Sequence, residues 1–234
     1  MLHCKDYEKI KFIIKMGKEI DLLVNYPKAK RNVDERGAEK TENDRAIARK
    51  FDKDFFDGDR KHGYGGFSYM PRFWQPVIPT FKKYWKLDKN SKVLDVGCAK
   101  GFMLYDLTKL IPGIEVKGID VSSYAIENSL EEIRNNLSVA NAVDLPFEDN
   151  SFDVVISINS IHNLDRKECG IALQEIERVS RGKSFITVDA YRNEEEKRRM
   201  FKWNLTAKTI MSVDEWILFF EEVGYTGDYY WFIP

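Results

Sequence analysis

From Lys92 onward, short apolar runs alternate with amphipathic ones, and this alternation constrains the fold more than any other feature of the chain. KVLDVG (92–97), EVKGIDV (115–121), SFDVVISIN (151–159), KSFITVDA (183–190) and DYYWFI (228–233) read as strands. Between them, GFMLYDLTKLI (101–111), SSYAIENSLEEIRNNL (122–137), DRKECGIALQEIERVSRG (165–182) and SVDEWILFFEEVGY (212–225) read as helices. The third helix is expected to end at Gly182 in a left-handed cap, and the fourth to be capped by Ser212 or Asp214. Strand–helix alternation at this spacing means parallel βαβ units, so the expected fold is α/β with a doubly wound, mostly parallel sheet.

The residues before this region have a different character. Residues 1–85 read as an N-terminal helical segment followed by an aromatic lid, and residues 86–234 as the core, with an insertion near 190–211. Residues 5–24 place Ile10, Ile13, Ile14, Ile20 and Leu23 near helical spacing, which predicts an amphipathic helix. Residues 28–50 hold eight basic and five acidic side chains and no aromatic. They read as a solvated face, with a phosphate-contacting patch as the alternative. Residues 51–85 then carry 11 of the 31 aromatics. Their centre, GDRKHGYGGFSYMPRFW, is rich in Gly and is expected to be a loop: a lid over a pocket or a strap packed on the core.

Composition excludes several classes. With 37 Lys+Arg against 38 Asp+Glu in 234 residues the formal charge is -1, which argues against bulk electrostatic binding of nucleic acid. No run approaches the roughly 20 apolar residues of a membrane helix. The charged N-terminus MLHCKDYEKIKF predicts no signal peptide. Cys4, Cys98 and Cys169 are odd in number and far apart, so neither a disulfide framework, nor a metal site, is expected, and the cytoplasm is the expected compartment.

In a doubly wound sheet, ligands bind at the carboxyl ends of the strands. The first strand ends Asp95-Val96-Gly97-Cys98-Ala99-Lys100-Gly101, where glycines permit a sharp turn and close approach of a ligand to backbone. Asp120, followed by Val121, ends the second strand and is placed to accept both hydroxyls of a ribose. The spacing is GxxxG, not the GxGxxG of a dinucleotide site, and Asp95 would repel a pyrophosphate but suits an ammonium group. Together these features resemble the class I S-adenosylmethionine (SAM) methyltransferases, over about residues 92–189. GIDVSSYAIENS is similar to the second motif of that family, and SVANAVDLPFEDNSFDVVIS to its adenine-binding region. The resemblance implies a Rossmann-like sheet of the seven-stranded type and SAM as cofactor. It places Asp95, Gly97, Cys98, Gly101, Asp120, Val121, Asn141, Ala142 and Asn159 around that ligand. After the last helix only one strand fits, so a seventh is absent or supplied by 205–211. The plainer alternative for Asp95 and Asp120 is helix capping, Cys98 is expected to be a small loop residue, and Lys100 is expected to face solvent.

Methyl transfer to oxygen gains from alignment and from a base. His162 is the first candidate for that base, with a structural helix-start role as the alternative, and Asp189 and Tyr191 are placed in the same crevice by topology. Tyr64, Tyr69, Asn163, Arg192, Trp203 and Asn204 are the expected acceptor contacts, although the RNEEEKRRMFKWNLTAKT segment also reads as a plain surface helix. YGGFSYMPRFW, TAKTIMSVDEW and GYTGDYYWFIP resemble segments of methyltransferases of bacterial surface-polysaccharide synthesis. That resemblance implies O-methylation of a small polar acceptor: a sugar, a nucleotide-linked sugar or a phosphoryl-type group. The partner expected is this small molecule, with neither nucleic acid nor membrane, and a homodimer is compatible with the sequence. A NAD-type dehydrogenase and a SAM-binding scaffold without catalysis are the competing readings.

Overall fold

The computed structural model describes residues 17–28, 33 and 40–234. Most of the expected helix at 5–24 lies outside them, and its last part, 17–24, is not helical. Glu19 instead bridges Tyr229, with Ile20 N donating to Tyr229 O (2.9 Å) and Tyr229 N to Lys18 O (3.1 Å). Short helices precede the sheet: α1 (Glu42–Ala48), α2 (Lys53–Phe56), α3 (Pro71–Trp74) and α4 (Ile78–Trp85). The core follows as β1 (Lys92–Val96), α5 (Phe102–Leu110), β2 (Glu115–Asp120), α6 (Ser123–Glu127), α7 (Glu131–Arg134), β3 (Leu137–Val139) and β4 (Val154–Ile158). A 3-10 turn (Ile161–Asn163), α8 (Arg166–Val179), β5 (Ser184–Tyr191), α9 (Glu194–Trp203), β6 (Met211–Ser212), α10 (Val213–Val223) and β7 (Asp228–Phe232) complete it.

The strands form one seven-stranded sheet of order β3-β2-β1-β4-β5. Beyond β5, β7 pairs with Phe185–Asp189 and β6 with Ala190 and Tyr191. All six ladders between these strands are parallel. The strand sought within 205–211 is therefore the two-residue β6, one position further on. Residues 18–20 cover the outer edge of β7, which would otherwise offer unpaired backbone groups.

Burial on both faces explains the continuous apolar runs. Val93, Leu94, Val96, Val154, Val155, Ile156, Phe185, Ile186 and Val188 are all wholly buried. On one side, α8 and α10 close a core containing Leu173, Ile176, Trp216 and Phe220. On the other, α4 and α5 close one containing Phe81, Trp85, Leu104 and Leu107. Ser212 caps α10 in a reciprocal box with Glu215, and Gly224 ends it in the left-handed conformation at φ 75°.

Two helices differ from expectation. The run 122–137 breaks into α6 and α7, because Asn128 Nδ2 donates to Tyr124 O (2.9 Å) and Ser129 Oγ to Ile126 O (2.7 Å), competing with the helical ladder. Helix α8 ends at Val179 and not at Gly182. Ser180 is extended there, and its Oγ accepts from the N–H groups of Gly182 (3.1 Å) and Lys183 (2.9 Å), so Gly182 serves the following turn. Trp216 joins both layers: its ring is wholly buried and its Nε1 donates to Asp189 O at 3.0 Å. Trp216→Ala is expected to lower stability by about 3–5 kcal/mol in urea unfolding.

Candidate functional site

The carboxyl ends of β1, β2, β4 and β5 meet on one side of the sheet. After β1 the chain turns through Gly97 (φ 83°), Ala99 (φ 49°) and Gly101 (φ 71°), three left-handed residues within five. A Cβ at Gly97 would stand 1.9 Å from Ser160 Oγ, and one at Gly101 2.7 Å from Leu137 Cδ1, so both positions require glycine. The turn is held from β2: Gly97 N and Cys98 N donate to Ile119 O (2.8 and 2.9 Å), and Ala99 N to Asp120 Oδ2 (2.8 Å). Asp120 Oδ1 takes Ser122 N at 2.9 Å. Ser122 Oγ, not Asp120, caps α6.

Asp95 differs from Asp120 although both are buried. Asp120 is held by backbone N–H groups, whereas no group among the described residues donates a hydrogen bond to the Asp95 carboxyl. Burial, reinforced by the neighbouring Asp120 charge, pushes Asp95 up to about 8. Burial also raises Asp120, opposed by its hydrogen bonds to Ser122, Ala99 and Val121. Neither carboxylate caps a helix, since α5 begins at Gly101 without any side-chain cap. Cys98 turns inward, 2.8 Å from where a Cβ of Gly118 would lie, and burial raises its thiol well above the usual range. Val121 is exposed, Ala142 buried, and the exposed Asn141 accepts Val143 N through Oδ1 (3.2 Å).

The aromatic segment lies across this loop. Lys100 does not face solvent as expected. It is 6% exposed, its Nζ stands 2.6 Å from Asp57 Oδ2, and Tyr124 donates to the same oxygen at 2.8 Å. Phe67 stacks on Phe102, with ring centroids 5.0 Å apart, and Phe67 N donates to Asp57 Oδ1 (2.8 Å). Residues 51–75 thus strap the glycine turn to the start of α6. Tyr69 pins the strap to α5, donating to the buried Asp106 at 2.6 Å; burial and that carboxylate push its hydroxyl up to about 12. Tyr64 is the exposed member, packed against Phe67 with ring centroids 4.3 Å apart and the rings tilted by 34°.

The far side of the crevice is built after β4 and β5. Asn159 has φ 49°, and its Oδ1 accepts from Thr187 Oγ1 at 2.8 Å. His162 is buried, and its Nδ1 accepts Asp189 N at 2.9 Å, which fixes the neutral tautomer with the proton on Nε2. Burial lowers its basicity, opposed by the Asp189 charge. The His162 carbonyl accepts Lys208 N (3.0 Å) and Thr209 N (2.9 Å). Asn163 Oδ1 is buried without a hydrogen-bond partner. Tyr191 is held near Glu215 (3.4 Å), and burial first, then the Glu215 charge, raises its hydroxyl.

The remaining expected acceptor contacts are less central. Arg192 is exposed and faces Glu19 (3.5 Å) and Glu196. Trp203 packs against Phe232 and lies under Lys40, which also donates to its carbonyl. Asn204 spends both ends of its amide on Ala207, closing a turn at 2.9 Å. Beside that turn, Arg45, Arg49, Phe201, Asn204, Lys208 and Ile210 line an open cleft of about 600 Å³. A second cleft, about 440 Å³, lies at the amino ends of β1 and β2 near Lys92 and Glu115, away from these groups. The described residues contain no cluster able to hold a metal ion and no helix long and apolar enough to cross a membrane. Sequence reasoning missed Asp57 and Tyr124. Their only signal was position, in a loop and a helix start with no motif of their own.

Residues 87–228 match the family described as "Methyltransferase domain". The putative methyltransferase YrhH of Bacillus subtilis is 26% identical over 118 residues, 47% of this chain and 64% of its own. O-methyltransferase rstn1 of Aspergillus nomiae is 32% identical over 107 residues, 43% of this chain and 46% of its own. The chain thus spans between about half and two thirds of the length of these relatives. Among solved structures, the YcgJ protein of Bacillus subtilis superposes with a TM-score of 0.52 at 19% identity, covering 62% of this chain and 66% of that one. That likeness shows the doubly wound fold. The sequence match takes in every strand from β1 through β6, together with both buried carboxylates, and on it the chain belongs to the methyltransferase-domain family.

Proposed function

We propose that this chain is a SAM-dependent methyltransferase that transfers a methyl group to an oxygen of a small polar acceptor. One observation supports the cofactor above all: a buried carboxyl, Asp95, to which no group among the described residues donates, beside a second, Asp120, that shapes the glycine turn. An ammonium group beside Asp95 would supply the missing counter-charge, and Asp120 retains acceptor capacity for ribose hydroxyls. Gly97 and Gly101 keep the turn free of side chains, Ala142 and Asn141 offer an adenine edge, and Cys98, Val121 and Asn159 contribute backbone around it. SAM supplies an electrophilic methyl carbon: the acceptor oxygen bonds to it, the carbon–sulfur bond breaks with its electrons on sulfur, and the acceptor proton passes to a base or to water.

The chain's own part is mainly alignment, for which effective molarities reach roughly 10⁵ M or more. The hydrogen bond from Asp189 N supports a positioning role for His162 in preference to that of base. Tyr191 keeps its proton near neutral pH. Asp189, at the end of β5, is the proposed proton acceptor. The aromatic strap is the proposed lid, latched by Lys100 on Asp57, with Tyr64 its exposed face. Asn163, Arg192 and Trp203 are proposed to border the acceptor. Resemblance of the segments around Tyr69, Ile210 and Tyr230 supports a finer reading, that the acceptor is a sugar, nucleotide-linked sugar or phosphoryl-type group of bacterial surface polysaccharide, methylated in the cytoplasm.

S-adenosylhomocysteine, which keeps the ammonium, is expected to raise the melting temperature by mass action, and Asp120→Ala to abolish most of that shift. The pH dependence has a definite sign. Asp95 titrates at about 8, above its ordinary value, so the unliganded protein holds a proton that the unfolded chain has lost, and its stability falls as pH rises from about 4 to about 8. Binding a cation there expels that proton. Calorimetry is therefore expected to show affinity rising ~50-fold between pH 6 and pH 8 with proton release, and Asp95→Asn to flatten the profile. A pH-independent affinity would remove Asp95 from the site. His162 runs the other way: its folded pKa is lowered, so its contribution to stability is present at pH 7 and lost as pH falls through the ordinary histidine range. His162→Ala is expected to cost about 1–3 kcal/mol in urea unfolding by orphaning the Asp189 N–H, and nitrogen NMR to find Nδ1 unprotonated. Turnover in this variant that keeps its pH profile, with SAM saturating, would agree with a positioning role; loss of the acid limb, where a base is protonated, would return the base to His162.

A further inference from the structure

We infer that the cleft between α1 and the 204–210 segment is a phosphate-binding subsite, which holds the acceptor by a phosphoryl group. The inference rests on the methyltransferase reading for its purpose, but on separate residues for its geometry. Arg45 and Arg49 come from α1 and its C-cap, and Lys208 from the loop that leads into β6. These residues lie some 160 positions apart in sequence, and folding brings them to one wall.

Arg49 is anchored through Nε, which donates to Thr206 O at 3.4 Å, while its two terminal nitrogens have no acceptor among the described residues. A guanidinium tethered by Nε presents the remaining pair as a fork, a geometry suited to two oxygens of one phosphate. Lys208 is exposed, and its ammonium makes no ion pair among the described residues, although its backbone is fixed on His162 O. Arg45 faces the cleft with its side chain mostly buried and pairs at 2.8 Å with Glu42, which lies out in solvent. Among the described residues, three cations line the cleft against one carboxylate, an excess of positive charge on a chain whose net charge is -1. Phe201, Ala207 and Ile210 supply an apolar floor for the rest of a ligand. The volume, about 600 Å³, suits a small molecule and is too small for a duplex. The His162 carbonyl, which takes Lys208 N and Thr209 N, ties this wall to the segment that follows β4.

The chemistry recognised is a phosphate mono- or diester end, which a sugar phosphate and a nucleotide-linked sugar both carry. Calorimetric titration of the full chain with glucose 1-phosphate, UDP-glucose, inorganic phosphate and glucose separates them. Saturable binding of at least one phosphorylated compound is expected, weakening with added salt, with glucose silent. Whichever of the two sugar compounds binds more tightly identifies the phosphoryl source. R49Q/K208Q is expected to weaken that binding at least tenfold while S-adenosylhomocysteine affinity stays within twofold. If the double variant loses its fold, K208Q alone, altered only at an exposed side chain, is expected to weaken binding at least threefold. Phosphorylated compounds that behave like glucose, or that bind the variants as tightly as the parent, overturn the subsite. A parent chain that binds phosphate but not S-adenosylhomocysteine overturns the methyltransferase reading and leaves the subsite standing.

Discussion

Two carboxyl groups buried side by side at the tips of β1 and β2 set the terms for the rest of this structure. Water is largely excluded from both, and an ionised carboxylate in such a place is costly unless it is hydrogen-bonded or paired. Asp120 meets that condition with backbone: it draws in the N–H groups of Ala99 and Ser122, and in doing so bends the chain into three left-handed residues. Asp95 does not meet it and holds a proton instead. The shape of the loop and the unmet charge beside it therefore have one cause. A loop built around Asp120 alone would be a structural turn; the unsatisfied partner beside it is what supports the proposed cation site.

Around that pair the molecule is assembled from two kinds of contact. Lys100 and Asp57 form a buried ion pair across the glycine turn, with Tyr124 filling a further lone pair. Such a pair contributes little net stability, because both ions surrender their hydration, but it fixes geometry and register. The strap's stability comes instead from area, through the packed rings of Phe56, Tyr64, Phe67 and Phe102, and from the Tyr69–Asp106 hydrogen bond at its far end.

What could be read from the sequence followed from how local each feature is. Five of the seven strands, the turn from Asp95 to Gly101 and the position of Asp120 are legible, because strand period, glycine placement and the ends of apolar runs are properties of a few adjacent residues, whereas the short β3 and β6 carry too few residues to show a period. Lys100 was misread for the converse reason: its neighbours in sequence give no sign of Asp57, which arrives from 43 residues away. Asn204 looked like a ligand contact by residue type, yet its amide is spent on closing its own turn, an alternative open to any Asn near a helix end. The break at Asn128–Leu130 has the same origin. Asn128 and Ser129 compete for the helix's carbonyls, which the apolar spacing of 122–137 does not show. The charged stretch 28–50 was legible as a composition, but which of its cations share a wall with Lys208 depends on the tertiary fold.

The two halves of the crevice are joined by His162. Its ring takes a proton bond from the backbone of β5, and its carbonyl takes two from the start of the β6 connection. One side chain and its peptide group thereby lock three segments: the turn after β4, the end of β5 and the wall bearing Lys208. Trp216 reinforces the same point from beneath by donating to the carbonyl of Asp189, whose N–H is the one His162 accepts. A histidine in that network gains nothing by ionising, since burial opposes the charge and both its ring acceptor and its carbonyl are already committed. In the proposed reaction its value lies in rigidity. The proposed acceptor wall and the glycine turn sit on different strands, and aligned methyl transfer requires the distance between them to stay fixed while both ligands are in place.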